Sequence, residues 1–136
     1  MIGFFSPDEQ ELIDSFEEKG YVIFPLDEIG RLDLLRSKLV AVSTKILGHE
    51  FKLNNAHNLI KTENLNKDRL GIIHSLNDDP EVRPLLYLLG KRQINSIVGN
   101  ELSMQRFCNL SIQLPEDESS LLPIHTDVWS GNSPYE

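Results

Sequence analysis

Apolar residues recur every three or four positions through most of the first hundred residues and every second position in a short stretch after them. The two periods predict helices followed by strands. Ser6-Pro7-Asp8-Glu9 sets a hydroxyl before a proline and a carboxylate three residues later, a capping box with proline in the first helical position, so a helix is expected to start at Pro7. Leu12, Ile13 and Phe16 share its apolar face, and Gly20 supplies the stop. Tyr21-Val22-Ile23-Phe24, closed by Pro25, reads as a short buried strand. From Asp27 to Leu47 the positions Leu32, Leu35, Leu39, Val42 and Ile46 return at helical spacing, and Gly48 ends the run. Between His49 and Asn77 the pattern weakens. Five asparagines favour turns there, and only Leu70, Ile72, Ile73 and Leu76 suggest a helical turn or two. Asp79-Pro80-Glu81 then opens another helix, carried by Leu85, Leu86, Leu88, Leu89, Ile94, Ile97 and Val98 up to Gly99 and interrupted or bent near Gly90.

Past Gly99 the period is two. In Asn109-Leu110-Ser111-Ile112-Gln113-Leu114 the three aliphatic side chains point one way and the three polar ones the other. One reading makes this a strand with a wet outer face. The other packs Leu110, Ile112 and Leu114 against the helices and leaves Asn109, Ser111 and Gln113 to line a polar cavity. A polar loop, 115–120, precedes a second extended segment from Leu121 to Trp129, broken early by Pro123. The expected class is therefore α+β in one domain, 1–136, helical over 1–99 with strands beginning over 100–136. A sheet of two or three strands is marginal alone, so either the helices cover it or the rest of the sheet is missing.

Composition narrows the setting. The 136 residues carry 13 Lys plus Arg against 21 Asp plus Glu, a net charge of −8, and the basic residues are scattered rather than clustered, which argues against a nucleic-acid partner. No window approaches the roughly 18 apolar residues of a membrane span. The acidic start after Met1-Ile2-Gly3-Phe4-Phe5 is not a signal peptide, so a cytoplasmic protein is expected. The single Cys108 excludes an intrachain disulfide and a cysteine zinc site.

One group of residues suggests chemistry. In His125-Thr126-Asp127 an imidazole and a carboxylate stand two apart, so on a strand they share a face and could fill two positions of a two-His-one-carboxylate facial triad for Fe(II). By spacing alone the signal is weak, since a His-x-acid arises by chance in roughly half of chains with this composition. The plainer reading is a surface pair at a strand end. Trp129 falls on the same face and either walls a pocket or packs at a sheet edge. His49, His57 and His74 have surface or boundary positions, and no Ser/His/Asp set, Walker loop or Gly-x-Gly-x-x-Gly is present.

The capped helix leading into Gly20-Tyr21-Val22-Ile23-Phe24-Pro25, the long second helix, the helical middle, Asn109 to Pro115, and Leu122 to Asn132 together resemble the phytanoyl-CoA-dioxygenase-like Fe(II)/2-oxoglutarate oxygenases, most closely the bacterial group of sporadic carbohydrate biosynthesis clusters. The resemblance covers most of the chain in element order and is specific from Asn109 onward. It implies N-terminal helices packed on the beginning of a double-stranded β-helix, or jelly roll, incomplete in this chain. It also implies that His125 and Asp127 are the first two metal ligands, that Asn109 and Gln113 contact 2-oxoglutarate or substrate, and that Trp129 and Asn132 contact substrate. Fe(II), 2-oxoglutarate and dioxygen would then act on a small, carbohydrate-linked molecule. The family's second His and its carboxylate-binding basic residue lie further downstream, whereas the nine residues after Asp127 include no His, Lys or Arg. The expectation is thus an N-terminal portion of an oxygenase, inactive by itself. The rival is a non-catalytic α+β binding or interaction domain.

Overall fold

The computed structural model describes residues 4–99 and 104–114. Five α-helices occur among them: α1 (Pro7–Lys19), α2 (Ile29–Leu47), a single turn α3 (Ala56–Leu59), α4 (Leu65–Asp78) and α5 (Val82–Val98), with 3-10 turns at Leu53–Asn55 and Thr62–Asn64.

Local chemistry sets most of the helix ends. The Ser6 hydroxyl accepts from the Glu9 N–H, and the Glu9 carboxylate accepts from the Ser6 N–H at 2.9 Å, closing the box at the start of α1. These bonds hold the Glu9 carboxyl below its ordinary range. Gly20 and Gly48 take left-handed backbone at φ 76° and 74°, each donating its N–H back to the fourth residue before it, and so end α1 and α2. At the α4–α5 turn the Asp79 carboxylate accepts from the Glu81 N–H at 2.9 Å. Pro80 therefore lies in the turn, and α5 begins two residues later, at Val82. It then continues through Gly90 without interruption.

α2 packs on α4 and α5, α4 also on α5, and α1 on α5 from the outside. Ile72, Val82 and Leu85 are buried at the heart of this arrangement. A second cluster, Phe51, Ile60 and Leu65, lies under the loops between α2 and α4, and Ile112 and Leu114 pack against it. Lys38 of α2 ties the helices together at the other end, reaching both Asp79 and Glu81 at 2.7 Å.

The α+β expectation fails among the described residues, which contain no β-strand. Neither Tyr21–Phe24 nor Asn109–Leu114 joins a ladder, and the further extended segment expected from Leu121 to Trp129 lies outside the described residues. Tyr21–Phe24 alternates as a strand would, with Val22 and Phe24 half-buried, but Ile23 is 90% exposed, so this is not the buried strand expected. Cys108, Leu110, Ile112 and Leu114 are half-buried while Asn109, Ser111 and Gln113 are exposed. A period of two reports only which side is covered. Here helices cover it, and the jelly-roll start is not what these residues form. The middle of the chain corrects the other way. α4 runs 14 residues where a turn or two was expected, its buried Leu65 and Ile72 two turns apart.

Candidate functional site

The residues singled out by sequence divide into two groups. His125, Asp127, Trp129 and Asn132 lie outside the described residues. Asn109 and Gln113 lie within them, on the exposed side of the 104–114 segment.

Three side chains hold that segment to the helices. Arg83 at the start of α5 donates to the carbonyls of Met104 and Gln105 at 2.7 and 3.0 Å. Asn77 near the end of α4 accepts from the Cys108 N–H at 2.7 Å and donates to the Cys108 carbonyl at 2.9 Å. Arg69, two turns earlier, donates to the Leu110 carbonyl at 3.3 Å. Side chains thus do for this backbone what a neighbouring strand does in a sheet. Sequence reading missed all three, because their partners lie 21 to 41 residues away and no local pattern marks them.

Beneath the segment is a recess of about 140 Å³, walled by Leu35 and Leu39 of α2, Ile73 and Leu76 of α4, and Val82 and Leu86 of α5, with Cys108, Asn109 and Leu110 at its edge. Its lining among the described residues carries no charged side chain. Asn109 also uses its Oδ1 locally, accepting from the Leu110 N–H at 2.9 Å. Burial pushes the Cys108 thiol pKa up, against an opposing pull from Arg83. The neutral thiol is therefore favoured, which does not suit a nucleophile. His49, His57 and His74 are exposed, in keeping with surface positions.

Among the described residues no three His, Cys, Asp or Glu side chains converge as a metal site would require. None of their helices is long and apolar enough to cross a membrane. Comparison with family models, curated proteins and solved structures gives no match.

Proposed function

We propose that the chain is part of an Fe(II)- and 2-oxoglutarate-dependent dioxygenase that hydroxylates a small, carbohydrate-linked substrate, with His125 and Asp127 as two of the metal ligands. The observation that carries this reading is His125-Thr126-Asp127, standing in the stretch Leu122–Asn132 that resembles the phytanoyl-CoA-dioxygenase-like enzymes. One imidazole and one carboxylate are the donor types that a facial-triad Fe(II) takes from protein, and the third ligand would be a further His. The iron and 2-oxoglutarate, when bound, supply the activation of dioxygen. Asn109 and Gln113 are exposed, and the proposal has them meet a polar co-substrate or substrate there. Trp129 and Asn132 are assigned to the substrate.

The second reading is a non-catalytic helical interaction module. It draws on the helical frame of the described residues. Turnover separates the two. A polypeptide continuing past Glu136 to a second His and a basic residue is expected to release succinate from 2-oxoglutarate in an Fe(II)-dependent way. His125→Ala or Asp127→Ala is expected to abolish that release while helix content stays unchanged, and residues 1–136 alone are expected to release none. Undiminished release by His125→Ala would contradict the proposal.

A further inference from the structure

Residues 108–114 have the alternation of a strand, and side chains of α4 and α5 hold the 104–114 segment by its main chain. Its apolar row fixes only the phase. A slip of one residue would turn Leu110, Ile112 and Leu114 outward, whereas a slip of two would return the same parity of side chains to the helices and leave the exposed row exposed. Something must choose among registers of equal parity.

We infer that Asn77 is the positioning residue for this segment, holding the main chain of Cys108 against the end of α4 in place of a neighbouring strand. Asn77 is the one side chain of the three clamps that takes both an N–H and a carbonyl of the same residue. Its second amide hydrogen goes to the Ile73 carbonyl, one turn back in its own helix, at 2.9 Å. That bond locks the amide so that its remaining donor and acceptor face Cys108 together. Arg69 and Arg83 donate only to carbonyls, from longer and more flexible stems, and steady the segment on either side. Cys108 is also the smallest side chain of the apolar row, and a slip of two would bring Leu110 or Arg106 to the clamp. What the outward row of Asn109, Ser111 and Gln113 then serves rests on the proposed function. The clamp itself does not.

Cys108 is the one thiol in the chain, which makes it a built-in reporter. The test is the rate at which a thiol reagent labels Cys108 in the 136-residue protein, measured across a series of low urea concentrations. Wild type is expected to label slowly. Asn77→Ala, and the isosteric Asn77→Asp that loses both donors, are expected to label at least about tenfold faster without urea, with little urea dependence, because the opening is local. Ile72→Val, at a buried position away from the clamp, provides the contrast: its labelling follows unfolding of the whole protein and rises steeply with urea. If both Asn77 variants behave like Ile72→Val, or if wild-type Cys108 labels as fast as in the unfolded chain, the clamp positions nothing and the inference fails. Neither iron nor 2-oxoglutarate enters the measurement, so its failure leaves the oxygenase proposal standing, and the reverse holds as well.

Discussion

Lys38 shows how one side chain can set a pH dependence. Its ammonium lies 2.7 Å from both Asp79 and Glu81, and it holds the Asp79 carboxyl below its ordinary value of 3.8, with help from the Glu81 N–H. The two carboxylates in turn raise the Lys38 amine above 10.5. A lowered carboxyl pKa gives stability that is present above the unfolded value and lost as pH falls through the folded one. A raised amine pKa gives stability that persists until pH climbs through the folded value. Urea midpoints of wild type and Lys38→Met are therefore expected to differ by a constant amount from roughly pH 5 to 9 and to converge below about pH 4. An undiminished difference at low pH would show that Lys38 acts through packing. None of this was legible in the sequence, because Asp79 lies 41 residues from Lys38. Asn77 is the same case. Only the fold reveals the main chain it meets.

At the scale of elements, what is local was readable. The capping box at Ser6 and Glu9 and the left-handed glycines 20 and 48 place α1 and the end of α2 almost to the residue, because each signal lies within one turn of what it controls. α4 was under-read, since its opening turns carry Lys67, Asp68 and Arg69 and its approach is rich in asparagine, which hides the two-turn spacing of Leu65 and Ile72. Strands were over-read for the opposite reason. Extended, alternating sequence specifies a covered side, but a strand exists only through its neighbour. Gly90 marks the remaining misreading, a break expected where α5 runs on. A Cβ there meets only the flexible end of Ile94, four residues ahead, at 3.1 Å. Gly90→Ala is thus expected to stabilise the protein by about 0.5–1 kcal/mol in urea unfolding, the helix-propensity gain. A loss of stability would mean that Ile94 cannot give way.

For the whole molecule, the helical frame and the segment strapped across it are built from contacts that the sequence implies only in part, while the proposed chemistry rests on a motif outside the described residues. Two ligands give weaker metal binding than three, yet weak binding is enough for a paramagnetic ion to act on nearby nuclei. The most direct test is an NMR titration of the ¹⁵N-labelled protein with Mn(II), a stand-in for Fe(II) at oxygen and imidazole ligands. The account predicts selective broadening of the amides around His125 and Asp127, abolished by His125→Ala and by Asp127→Ala. Broadening confined to other acidic residues, or unchanged in both variants, would contradict it.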